Sequence, residues 1–220
     1  MFGLNSARVR GQDEDTTGLW PGTGTDHQSG AGHAEGFIVG TRIATAQGWR
    51  AVEAIAPGDL VMTFDHGLAP VQAITRAALW SGQGRCPRSV MPLAVPAGAL
   101  GNAAALLLLP EQSILLESDL AEAVFGAPFV LVPAAALAGY RGIEPITPHQ
   151  KIEVIQLRFA EDEVVYANGS GLMRCAGSAA GGLERLLAGE RLESYSVLPL
   201  NMARVIVKAM IEDARAHQPG

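Results

Sequence analysis

The sequence predicts an all-β domain followed by a helical C-terminal tail. Three observations carry this prediction. Residues 37–74 hold short runs that alternate apolar and polar with period two, cut by Gly- and Pro-containing turns. A second β-branched, alternating run occupies residues 152–169. Helical spacing of apolar residues is confined to the tail, at residues 183–188 and 202–209. The composition fits a packed core, with 48% hydrophobic and 17% charged residues. A chain of 220 residues holds one good-sized domain, or one domain with an extension.

Several function classes are disfavoured at once. The net charge is -6 and Lys and Arg form no cluster, so a nucleic-acid partner is not expected. Two cysteines, Cys86 and Cys175, make no disulfide framework. No C-x-x-C occurs and the five His are scattered, so neither a metal nor another cofactor is expected. The opening MFGLNSARVR lacks the apolar core of a secretory signal, which points to a cytoplasmic protein or one exported by a signal-independent route. Residues 123–140 carry no charge, but Gly126, Pro128, Pro133 and Gly139 interrupt them. They divide into a strand at 129–132 and a short helix with Pro133 in its first position, so no membrane span is expected.

In chain order, residues 1–35 are Gly-, Asp- and Thr-rich without periodicity and read as a flexible arm, with His27 and His33 solvated. Strands are expected at 41–45, 49–53, 60–64 and 70–74, with a Pro57-Gly58 turn and a hairpin turn at Asp65-His66-Gly67 that leaves His66 exposed. The pattern fades from Ala77 to Arg88, which reads as a loop with Cys86 an exposed bystander thiol. Residues 152–169 read as a hairpin bent at 159–163. Asn168-Gly169 reads as a turn, and the Gly-rich stretch after it as a loop in which Cys175 is inert. A helix at 183–188 stops at Gly189. In the last helix Asn201 is the expected N-cap, with Leu200 and Val205 as a hydrophobic staple. Met202, Val205, Ile206 and Ala209 form the stripe expected to pack on the sheet.

Certain short patterns are more specific. They are F-x-x-G-T-x-I-x-T at residues 37–45, G-W-R-x-V-E at 48–53 and P-G-D-x-V-x-T at 57–63. A-G-A-L-G follows at 97–101, and then a Leu run ending in L-P-E-Q at 109–112. In this order they resemble the Hint domain, the self-processing fold shared by hedgehog autoprocessing domains and inteins, and in particular its bacterial subfamily. The resemblance implies a curled β fold with pseudo-two-fold symmetry over residues 36–169, followed by a tail at 170–220. It also implies where the chemistry would sit. The nucleophilic Cys is replaced by Gly36, the hydroxyl residue by Leu109, and the three His by Gln112, Gln156 and Asp162.

Family chemistry begins with an acyl shift, in which the first residue's own thiol or hydroxyl attacks the preceding carbonyl. Here that bond is Glu35–Gly36, and Gly36 has no side chain. The leaving nitrogen must be protonated by a titrating acid, which Gln112 is not. Ala167-Asn168-Gly169 lacks the His and the acceptor of a splicing junction. The resemblance therefore implies a catalytically silent Hint domain, a structural or interaction module with a protein partner. A self-cleaving domain with a non-standard residue set and a small-molecule binder in a β-rich pocket remain as alternatives. If only the reactive groups are lost, Gly36→Cys with Gln112→His should return some scission.

Overall fold

The structure is a computed structural model that describes residues 35–178 and 196–216. The arm at 1–34 and the helix expected at 183–188 lie outside the described residues. The first half holds β1 (Phe37–Ile38), β2 (Arg42–Thr45), β3 (Gly48–Ala51), β4 (Leu60–Thr63), β5 (Gly67–Pro70), β6 (Ala73–Trp80), β7 (Leu93–Val95) and β8 (Leu106–Leu108). The second holds β9 (Ser113–Glu117), α1 (Asp119–Phe125), β10 (Phe129–Pro133), β11 (Glu144–Pro145), β12 (Ile152–Arg158), β13 (Glu163–Ala167), β14 (Gly171–Cys175) and α2 (Leu200–Ala216). The expected all-β architecture with a C-terminal helix is present.

An eight-stranded sheet runs β10-β9-β14-β13-β2-β4-β5, with β3 paired to β2. Two three-stranded sheets, β1-β12-β6 and β11-β7-β8, complete the described part. All pairings between these strands are antiparallel. Phe37, Ile43, Val61, Leu108, Ile114, Leu137, Ile155 and Val165 are buried in one continuous core. Fully burying such a side chain contributes about 1.5–3 kcal/mol. A smaller cluster gathers Leu109, Cys86, Val90, Ile152 and Val154.

Several sequence expectations give way here. The expected hairpin over 152–169 is not one. β12 pairs with β1 and β6, whereas β13 pairs with β14, β2 and β4. The bend between them is fastened elsewhere, because the Asp162 Oδ1 accepts a 2.8 Å hydrogen bond from the Gly177 N–H beyond β14. The true hairpin is β13–β14. Its turn is at Asn168, whose φ of 48° suits Asn and whose Oδ1 accepts from the Arg42 N–H. The stretch taken for a Gly-rich loop therefore begins with β14, a strand with neighbours on both sides.

Residues 77–80 continue β6 rather than opening a loop, because the ladder to β12 runs on to Trp80. Val52 and Glu53 form a 3-10 turn instead of extending β3. Residues 134–137 form a 3-10 turn after Pro133, which itself ends β10. Helix α1 has no counterpart in the expectations, although Ser118 caps it at Ala121 N and Gly126 closes it with φ 73°. Asn201 lies inside α2, which begins one residue earlier, so it is not the cap. The face that packs is shifted by one residue from the expected stripe: Ala203, Ile206 and Val207 are buried, while Met202 and Val205 are 42% and 63% exposed. Leu200 is also exposed, which removes the staple.

Candidate functional site

β1 delivers Gly36 to the place where β9, β12 and β14 meet. Phe37 anchors it, pairing with Ile155 while its ring is buried in the core. The Glu35–Gly36 peptide is held at both of its polar groups. The Gly36 N–H donates to Gln112 Oε1 at 2.9 Å, and the Glu35 carbonyl accepts from Gln156 Nε2 at 2.8 Å. Gln112 is fully buried, and its orientation follows from its other bonds. Its NH2 donates to the Arg174 and Ser113 carbonyls at 2.9 and 3.2 Å, so its oxygen must face Gly36.

The Glu35 side chain is bound as well. Ser113 Oγ donates to one oxygen at 2.7 Å, and Arg174 Nη1 reaches the other at 3.3 Å. Arg174 in turn gives Nη2 and Nε to Asp162 Oδ2 at 2.6 and 3.1 Å. Only 17% of the Arg174 side chain and 14% of that of Asp162 is exposed, so this pair is shielded from much of the screening that weakens surface ion pairs.

Four of the five positions named from the sequence thus converge. Gly36, Gln112, Gln156 and Asp162 all sit on one network around a single peptide bond. Leu109 does not join it. Fully buried, it packs in the apolar cluster with Cys86 and Ile152. Sequence reasoning missed the Glu35 side chain, Ser113 and Arg174. Ser113 directly follows Gln112, which was a usable signal; Arg174 was hidden by reading its strand as a loop.

Gln156 polarises the carbonyl, as an oxyanion donor would. Gln112 accepts from the N–H, which favours the planar amide and opposes protonation of the nitrogen. Gly36 supplies no nucleophile. A cavity of about 110 Å³ lies between Gly36, Gln156, Arg174 and Cys175. Cys175 is buried, and that burial, reinforced by the Glu35 carboxylate, pushes its thiol far up and keeps it neutral. Cys86 is buried too, correcting the expectation of an exposed thiol, and burial raises its pKa despite the neighbouring Arg residues. Both cysteines are free. No helix among the described residues is long and apolar enough to cross a membrane.

Comparison with solved structures finds inteins and an intein-like domain. The bacterial intein-like domain from Clostridium thermocellum is 15% identical with a TM-score of 0.44, covering 65% of this chain and 99% of that one. The AceL NrdHF class 3 split intein is 13% identical with a TM-score of 0.41, covering 66% and 99%. The gp41-1 intein is 14% identical with a TM-score of 0.40, covering 66% and 100%. No curated protein matches the chain. The family profile of the Hint domain matches residues 35–172, well over half of the sequence and the span that contains Gly36, Gln112, Gln156 and Asp162, so the chain belongs to the Hint domain family.

Proposed function

We propose that this is a catalytically silent Hint domain that serves as a structural or interaction module. The observation that carries the reading is the clamped Glu35–Gly36 peptide. Its nitrogen faces an amide oxygen 2.9 Å away instead of an acid, and its first residue has no side chain. Losing nucleophile and acid together removes both halves of the acyl shift. An interaction role is supported by the outer face of the sheet. Cross-strand register puts Trp49, Leu60, Met62 and Leu68 on the side opposite the buried Val61, and all four are exposed. An apolar face of this kind suits a protein partner.

Intact mass spectrometry of the purified chain tests the reading. Long incubation with and without dithiothreitol should leave one full-length species. Thiol-accelerated scission between Glu35 and Gly36 would overturn it and establish a non-standard reaction.

A further inference from the structure

Away from the Glu35–Gly36 peptide, the turn between β4 and β5 meets the bend between β12 and β13. The backbone ladder brings them together, since Thr63 pairs with Val165 and the Phe64 N–H donates to the Val164 carbonyl at 2.7 Å. Three side chains converge there: His66, Glu161 and Glu163, with one ligand atom from each lying within 4.8 Å of the others. Glu161 lies in the bend and Glu163 opens β13, and both reach His66, while Asp162 between them bonds Arg174.

The cluster differs from a surface group of acids in one respect. The Glu163 side chain is only 4% exposed. Among the described residues its carboxylate has one polar side-chain partner, the His66 Nδ1, at 3.2 Å from both oxygens. A single ring N–H cannot satisfy two carboxylate oxygens. The distance is also long for a charge-assisted bond, which is ordinarily about 2.7–2.9 Å. A buried, under-satisfied carboxylate with a second carboxylate beside it is costly unless a cation compensates it.

We infer that His66, Glu161 and Glu163 form a binding site for a divalent transition metal, best matched to Zn(II). One imidazole and two carboxylates are a borderline donor set, suited to zinc rather than to the all-oxygen shells of calcium and magnesium. Ligand atoms around a tetrahedral zinc lie about 3.4 Å apart, given bonds of about 2.0–2.2 Å. His66 Nδ1 already lies 3.2 Å from Glu163, so the remaining adjustment falls to Glu161, at a half-buried position in the bend, while Glu163 stays fixed. The backbone of the His66 turn is already set: its N–H donates to Thr63 Oγ1 at 3.3 Å, and that hydroxyl donates to the Gly67 carbonyl at 2.9 Å. Solvent on the open side supplies the remaining ligand. The site is independent of whether the Glu35–Gly36 bond can be cleaved.

Isothermal titration of the full-length chain with ZnCl2 at about pH 8, where the imidazole is available as a ligand, tests the inference. Wild type should bind one equivalent, and saturation should raise Tm by about 5 °C or more. His66→Ala and Glu161→Gln, both at partly exposed positions, should each weaken that binding at least tenfold, whereas His149→Ala should not. Cobalt(II) bound in place of zinc should show no sulfur charge-transfer band, as neither cysteine takes part. Three results overturn the inference: no binding by wild type, which makes the cluster an ion pair only; unchanged affinity in His66→Ala, which places the zinc elsewhere; or a sulfur band.

Discussion

Gly36 has a φ of 143°, a backbone conformation that L side chains rarely adopt. A Cβ there would stand 3.1 Å from Gln156 Cγ and 3.2 Å from the Ile155 carbonyl oxygen. The position is fitted to glycine and is more than a cysteine with its sulfur removed. This bears on the idea that Gly36→Cys with Gln112→His returns scission. The double variant is expected to lose roughly 1–3 kcal/mol from the strained residue and to stay whole. A thermal melt reads the first effect and mass spectrometry in dithiothreitol the second; recovered cleavage would show that the junction adjusts easily. Gln112 is the other sensitive residue. Truncation to Ala leaves the Gly36 N–H and the Arg174 carbonyl without their partner in a buried place. A loss of about 2 kcal/mol or more in urea denaturation is expected. A cost near zero would mean that water takes over both bonds.

At the scale of elements, the turn before β4 shows how a charge fixes a corner. Asp59 Oδ2 accepts from the Ala56 N–H at 2.9 Å and from Arg50 Nη1 at 2.8 Å. The Ala56 N–H chiefly, and then Arg50, hold its carboxyl below the ordinary 3.8. A depressed folded-state pKa means stability that is present above the ordinary value and lost as pH falls through the folded one. Asp59→Asn should therefore melt below wild type at pH 7, with the gap narrowing as pH drops below about 3.9. A gap independent of pH would assign the effect to shape instead of charge. Helix α1 offers a second test, since Ser118→Ala removes its cap and should cost about 1 kcal/mol.

These elements also show what was legible in the sequence. Short-range chemistry was: the Pro57-Gly58 turn, the Asp65-His66-Gly67 hairpin and the Asn168 turn follow from local backbone preference. The Hint resemblance, built on local strings, named four residues that the structure brings together around Glu35–Gly36. Strand partnership was not legible. β12 and β13 adjoin in sequence and look like a hairpin, yet they belong to different sheets, because the decisive bond runs from Asp162 to a residue beyond β14. The face of α2 was misplaced by one position for a related reason. Met202 and Val205 are apolar enough to pack, and only contact with the 3-10 turns at 134–137 and 140–142 and with β10 selects Ala203, Ile206 and Val207.

At the scale of the whole molecule, β14 joins the two ends of the large sheet, between β9 and β13. It also carries Arg174, which ties the bend at Asp162 to Glu35. A chain cut after residue 169 would keep every Hint motif and lose this strand. It is expected not to fold, as judged by dispersion of its amide NMR signals; a well-dispersed spectrum would show that the remaining sheets close without it.

The bond from the Gly36 N–H to Gln112 has one more consequence, in the rate at which a hydrogen leaves. That amide is buried and donates to a side chain instead of a neighbouring strand, so it is released when the junction alone shifts as well as when the whole sheet opens. Its exchange with deuterium, set against that of Met173 in the middle of β14, separates the two kinds of opening. Equal protection would mean that the junction and the core come apart only together. Faster loss at Gly36 would mean that the segment entering at Glu35 breathes while the rest stays closed.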